Sequence, residues 1–271
     1  MIRTAQACME AALEVAVLAG ASAHGYFGRS IAIDRKGDGT PVTEADRRAE
    51  AVAREWIEAR FPEDGILGEE LGAIREQAPR CWLIDPIDGT KSFVRGVPLW
   101  GSLVAVLEDG EVLAGAACFP ALRETLAAAV GCGCWWNGAR CAVSDVADLG
   151  RATVLTTDER FDRRPGRREG WLELAQGAGL SRTWGDCAGY LLVATGRAEV
   201  MVDPVLAPWD AAPFVPIVEE AGGRLTDWNG NRGLGGEGLI ATNAALAREA
   251  RRRLGCPSAP ARDIAQKETR S

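Results

Sequence analysis

The sequence predicts an α+β first half built on antiparallel strands, followed by an α/β second half. Three observations point there. Apolar residues recur at helical spacing over 4–23 and again after Thr43. Between residues 99 and 143, apolar runs of strand length are separated by Asp109-Gly110 and Asn137-Gly138, pairs that close two-residue hairpins. From residue 154 onward, short apolar runs alternate with helical segments, the pattern of a layered α/β arrangement. A soft boundary falls near residue 150. It divides an α+β part (1–150) from an α/β part (151–256), and a polar tail with two prolines (257–271) is expected to be ill ordered.

Each element has its own signal. The first helix places Ala7, Ala11, Val15 and Leu18 on one face. Residues 36–43 are rich in Gly, Pro and Asp and read as a loop. Thr43 is a plausible N-cap, with Asp46 three residues later, so Asp46 could serve only to start the helix. That helix runs through Ala49, Val52, Trp56 and Ile57 and stops at Phe61-Pro62. Ile66-Leu67-Gly68-Glu69-Glu70 reads as a strand end that delivers two acids. Trp82-Leu83-Ile84 reads as a buried strand. Strands are expected over 99–107, 111–119, 124–130 and 134–143, then over 154–157, 198–202 and 238–242. Helices are expected over 170–177, 188–195 and 211–221, the last despite Pro213 and Pro216. The charged loop 160–168 could close over a ligand or stand in solvent.

Bulk properties narrow the chemistry. A formal charge of −7 argues against general nucleic-acid binding. No uninterrupted apolar run reaches the length of a membrane span, and no leader-like segment precedes the first helix. The eight cysteines are therefore read as reduced and the chain as cytoplasmic. Cys132, Cys134 and Cys141 cluster, but without the paired spacing of a structural zinc site. His24 is the single histidine, which leaves little room for triad chemistry. Acid–base and metal chemistry here must rest on carboxylates.

The most informative stretch is Asp85-Pro86-Ile87-Asp88-Gly89-Thr90. Two acids crowd the end of an apolar strand, Pro86 forces a turn, Gly89 lets backbone approach a ligand, and Thr90 adds a hydroxyl. Crowded carboxylates repel unless a cation sits between them, and Mg²⁺ takes oxygen ligands of this kind. Taken singly these residues would suit a polar turn. Asp46, Glu69-Glu70 and Asp210 in Pro208-Trp209-Asp210-Ala211-Ala212 complete the set of acids that a site for two or three ions needs.

Together these motifs resemble the inositol monophosphatase-like superfamily of Mg²⁺-dependent phosphomonoesterases, over residues 4–245. The resemblance implies the layered αβαβα sandwich of the sugar-phosphatase type. It implies that Glu69 and Asp85, with the Ile87 carbonyl, hold one ion, and that Asp85, Asp88 and Asp210 hold a second. Two or three Mg²⁺ ions are expected, with Mn²⁺ an alternative. Thr90, polarised by Asp46, would help deprotonate the attacking water, with Glu69 also in a catalytic role. Gly89 and Thr90 would bind phosphate through backbone N–H groups, and Glu70 would stand behind the ligands. Direct attack by water, without a phosphoenzyme, follows.

Two further stretches, residues 90–100 and Trp184-Gly185-Asp186-Cys187-Ala188-Gly189-Tyr190, look like the histidinol-phosphate phosphatase branch of histidine biosynthesis. An ammonium and an imidazole suit acidic partners, and Asp186 and Asp203 stand where the family contacts the alcohol. Trp184 could pack on imidazole or belong to the core. Inositol 1-phosphate or a range of sugar phosphates are the alternative substrates. The partner is a small phosphate ester, and relatives are commonly homodimers. A Mg²⁺-binding scaffold that keeps the fold is the non-enzyme alternative, against which Thr90 and Glu69 argue.

Overall fold

The structure is a computed structural model, and it describes residues 4–37, 39–232, 234 and 238–257. Apart from Pro257, the tail expected to be ill ordered lies outside the described residues. The first half contains α1 (Ala5–His24), β1 (Ile33–Arg35), β2 (Pro41–Thr43), α2 (Glu44–Arg60), β3 (Gly65–Gly68), β4 (Gly72–Ile74) and β5 (Arg80–Asp88). It continues with the one-turn α3 (Thr90–Phe93), β6 (Gly101–Glu108), β7 (Glu111–Phe119), β8 (Glu124–Ala129), β9 (Gly133–Trp136) and β10 (Ala139–Arg140). The second half contains β11 (Thr153–Thr156), α4 (Arg168–Gly177), β12 (Leu180–Arg182), α5 (Asp186–Ala194) and β13 (Val200–Asp203). It ends with α6 (Pro208–Ala211), α7 (Phe214–Glu220), β14 (Arg224–Thr226), β15 (Leu239–Thr242) and α8 (Ala247–Arg253).

Two main sheets result, with strand orders β10-β9-β8-β7-β6-β5-β3-β4 and β12-β11-β13-β15-β14. Strand alternation sorts their side chains into three cores. Ile84, Val104 and Val106 join Ala12, Val15 and Ala19 of α1 and Ala49 and Ala53 of α2. The opposite face, with Leu83, Leu103 and Ala105, meets Leu191 of α5 and Phe214 and Ile217 of α7. The same core takes in Leu155, Met201 and Ala241 from the smaller sheet. Val154, Val200 and Ile240 face the other way, onto Trp171 and Leu174 of α4 and Ala250 of α8. The order is therefore helix, sheet, helix, sheet, helix. Both sheets are covered on both faces, which is why their strands read as continuous apolar runs.

The expected class holds, with local differences. The stretch expected as a loop over 36–43 ends in a strand, β2, which pairs with the preceding β1 in a small hairpin in which Ile33 faces Thr43. The first half is not wholly antiparallel: β3 runs parallel to β5, with Leu67 opposite Leu83. This matters for the site, because a parallel pair presents both C-terminal ends on one side. The strand expected over 134–143 is two short pieces, since Asn137 and Gly138 both take positive φ at the turn. The helix expected over 211–221 is split into α6 and α7. Pro213 brings no N–H to a continuous ladder, and Val215 N donates instead to Ala212 O at 3.2 Å. β4, β12 and β14 carried too few residues to announce themselves. By length and composition α1 could cross a membrane. Its stripe from Cys8 through Ala23 is instead buried against α2 and the larger sheet.

Candidate active site

The acids gather because four elements end together. β5 loses its regular register between Asp85 and Asp88. Pro86 cannot donate to the ladder, and its carbonyl is held instead by Ser102 Oγ at 2.6 Å. Asp85 Oδ1 accepts the Ile87 N–H at 2.9 Å and so closes the turn on itself. Gly89 adopts φ +83°. A Cβ there would stand 2.8 Å from Leu99 O, so the position excludes other residues on two grounds. Thr90 follows as the first residue of α3. Its Oγ1 lies 3.0 Å from Ile87 O and 3.5 Å from Asp46 Oδ1.

Asp46 comes from the first turn of α2. Its Oδ2 accepts both Thr43 N at 2.8 Å and Thr43 Oγ1 at 2.6 Å. It therefore caps the helix and faces Thr90 at once. One oxygen serves each role. Glu69 follows the end of β3, with its N–H bonded to Ile84 O at 3.1 Å. Asp210 sits in the first turn of α6, where its Oδ2 accepts Ala207 N at 3.1 Å. Carboxylate oxygens of Glu69, Asp85 and Asp210 lie within 4.8 Å of one another. Asp88 Oδ2 accepts the Cys187 N–H from α5, tying the turn to the second half of the chain.

Burial, first of all, pushes the Asp85 and Asp88 carboxyls well above the ordinary carboxylate range. The neighbouring acids add to it: Glu69, Asp210 and Asp88 around Asp85, and Asp186 and Asp210 around Asp88. Asp210 is raised to about 7 by burial and by Glu69. Lys36 Nζ offsets part of this charge at 2.6 Å from both Glu69 Oε1 and Glu70 Oε1. Around Asp85, Asp88 and Asp210 it is burial and other acids that raise the carboxyls, and every side-chain donor is oxygen. That set fits a hard divalent ion rather than a soft metal.

Beside the acids lies a cleft of about 570 Å³ whose walls include Thr90, Lys91, Thr157, Asp186, Asp203 and Asp210. Asp203 accepts the Tyr190 hydroxyl at 3.1 Å, and burial raises it to about 7. Asp186 takes φ +49° and donates its N–H to Thr157 Oγ1 at 2.8 Å. Burial raises its carboxyl to about 6. Arg160, Phe161, Asp162 and Arg163 also line the cleft, so the first part of the charged loop is wall rather than bystander.

Trp184 is not among the residues lining the cleft, nor in the core. It is 42% exposed, with the Arg182 guanidinium 5.9 Å from its ring. His24 packs beside Phe27 and Trp100, away from the cleft. Cys134 and Cys141 place their sulfurs 3.5 Å apart, but the acidic trio is the metal-type grouping among the described residues. Lys36 and Thr157 carry no functional signal of their own in the sequence. A lysine in a Gly-rich loop carries no signal until the fold brings an acid to it.

The sequence profile described as the inositol monophosphatase family matches residues 5–256. The chain belongs to that family. Among its relatives, a histidinol-phosphatase of Chlorobaculum parvum is 46% identical over 242 residues, covering 89% of this chain and 93% of that protein. A histidinol-phosphatase of Mycobacterium tuberculosis is 43% identical, covering 82% and 87%. The crystal structure of the extragenic suppressor protein SuhB from Bartonella henselae superposes with a TM-score of 0.86 at 27% identity. It covers 92% of this chain and 98% of that one. This inositol monophosphatase family member thus shares its fold with solved relatives across nearly all described elements.

Proposed function

We propose that this phosphomonoester hydrolase converts L-histidinol phosphate to L-histidinol and inorganic phosphate, using Mg²⁺, in the cytoplasm. The observation that carries the reaction class is the convergence of Glu69, Asp85, Asp88 and Asp210 beside the Asp46–Thr90 pair. The substrate reading is supported by the histidinol-phosphatase relatives and by the acidic wall of the cleft.

Glu69 and Asp85, with the Ile87 carbonyl, would hold one ion, and Asp85, Asp88 and Asp210 a second. When bound, such ions neutralise phosphate oxygens and lower the pKa of water at neutral pH. Each remaining role falls to the chain itself. The N–H groups of Gly89 and Thr90 bind phosphate oxygens at the start of α3. Thr90 Oγ1 accepts a proton from the attacking water and passes its own to Asp46 Oδ1. Asp46 can receive it because its other oxygen alone is committed to Thr43. Asp186 and Asp203 face the alcohol, where carboxylates favour an ammonium group over a neutral polyol. Water attacks phosphorus directly, so no side chain is phosphorylated.

The test is phosphate release from a panel of histidinol phosphate, inositol 1-phosphate, fructose 1,6-bisphosphate and 3′-phosphoadenosine 5′-phosphate. The expected result is a kcat/KM for histidinol phosphate at least about a hundredfold above the others, or about 2.7 kcal/mol of discrimination. Equal turnover of inositol phosphate would sink the substrate assignment and spare the site.

A further inference from the structure

We propose that Glu50 is a positioning residue: its buried carboxylate clamps the backbone turn that presents Glu69 and Glu70, and so sets the affinity of the site for its divalent ion. The inference rests on reading Glu69 as a metal ligand.

Glu50 lies one helical turn after Asp46, so both side chains leave the same face of α2. A glutamate inside an amphipathic helix ordinarily points to water. Glu50 is fully buried, which is costly for a charge unless it finds partners. Its partners are specific. Oε2 accepts the Glu70 N–H at 2.7 Å, and Oε1 accepts the Leu71 N–H at 3.2 Å. Arg54 Nε donates to Oε1 at 2.8 Å and supplies the counter-charge. The same guanidinium donates to Gly72 O at the start of β4.

The backbone from 69 to 71 is therefore held at three consecutive N–H groups. Glu69 N goes to Ile84 O on β5, and the next two go to Glu50. Gly68 makes room for this arrangement, since a Cβ there would overlap the Glu50 carboxylate. Glu50 itself is not among the residues lining the cleft. It reaches the chemistry only through the turn it holds. The β3–β4 pairing closes this turn at Gly68 and Gly72, and between them the N–H groups of Glu70 and Leu71 go to Glu50. Without those two bonds, the turn would let Glu69 swing on Lys36 away from Asp85 and Asp210. Charge-assisted bonds to two backbone donors are strong enough to hold it.

The experiment compares Glu50→Gln and Gly68→Ala with wild type. The first removes the charge in place, and the second evicts the carboxylate by a different route. Mg²⁺ binding to the substrate-free, full-length protein is measured by calorimetry, with folding followed by circular dichroism. Steady-state kinetics are then run at saturating Mg²⁺. The expected result is an Mg²⁺ Kd raised at least about tenfold in both variants, with the KM for substrate at saturating metal changed less than about twofold. Wild-type Mg²⁺ affinity in variants that remain folded would overturn the proposal. Should Glu50→Gln fail to fold, Glu50→Asp keeps the charge near Arg54 but cannot span to Glu70 N. Wild-type affinity in that variant overturns the proposal equally. A wild-type protein that binds no Mg²⁺ would instead remove the metal reading of Glu69 beneath it.

Discussion

Asp88 and Thr90 stand two residues apart and answer different questions. Asp88 is fixed by an N–H from Cys187, and an asparagine could accept the same bond through its amide oxygen. Asp88→Asn is therefore expected to keep its melting temperature within a few degrees while losing turnover by about three orders of magnitude or more. A variant that retains activity would show that Asp88 is not a ligand. Thr90 has a hydroxyl 3.0 Å from Ile87 O and 3.5 Å from Asp46. Thr90→Val keeps the shape and removes the proton path. A loss of about 10²–10⁴ in kcat at nearly constant KM is expected, the range for removing acid–base assistance. A shift confined to KM would place the residue in binding alone.

At the scale of elements, Thr43 caps α2 while fixing Asp46 through two bonds. Thr43→Ala should lower stability to urea by about 1 kcal/mol, the usual worth of an N-cap. It should also reduce kcat, because one of the bonds that orients Asp46 goes with the hydroxyl. An unchanged kcat would separate the cap from the chemistry.

The same elements show what could be read in advance. The Asp85–Thr90 turn was legible because each residue type there has a local reason, and those reasons conflict unless a ligand is present. Asp46 was legible only as an alternative, since three-residue spacing from Thr43 describes a capping box equally well. In the structure one of its oxygens caps α2 and the other lies 3.5 Å from Thr90 Oγ1. Glu50 left no mark, because a glutamate inside a helix reads as solvated face until β3 and β5 are brought against it. For Trp184 the residue type suggested stacking or core, and its exposure rules out only the core. The break between α6 and α7 was visible in Pro213, but an apolar run of helical length outweighed it.

For the molecule as a whole, the collected acids make stability depend on pH. Asp203 and Asp210 are raised to about 7 in the folded chain, against about 3.9 for an unfolded aspartate. Between these values the folded state holds protons that the unfolded chain releases. The stabilisation is full below about pH 4 and disappears as pH rises through about 7. In EDTA, the melting temperature should therefore fall by several degrees between pH 5 and pH 8. Mg²⁺ should restore more of it at pH 8 than at pH 5, because protons and metal compete for the same oxygens. A metal-free melting curve that is flat across this range would show that burial does not raise these carboxyls as described.

The shared core has a consequence for how the chain is made. Leu83, Leu103 and Leu126 of the larger sheet are covered by Phe214 and Ile217, which leave the ribosome about a hundred residues later. Until then, one full face of a nearly complete sheet has nothing to rest on. A nascent chain halted near residue 150 should be sticky, held by chaperones and cut readily by protease. The same chain released past residue 254, with β14, β15 and α8 made, should resist both. Pulse-labelled translation with timed proteolysis would show whether protection arrives in two steps or, as the packing demands, in one late step.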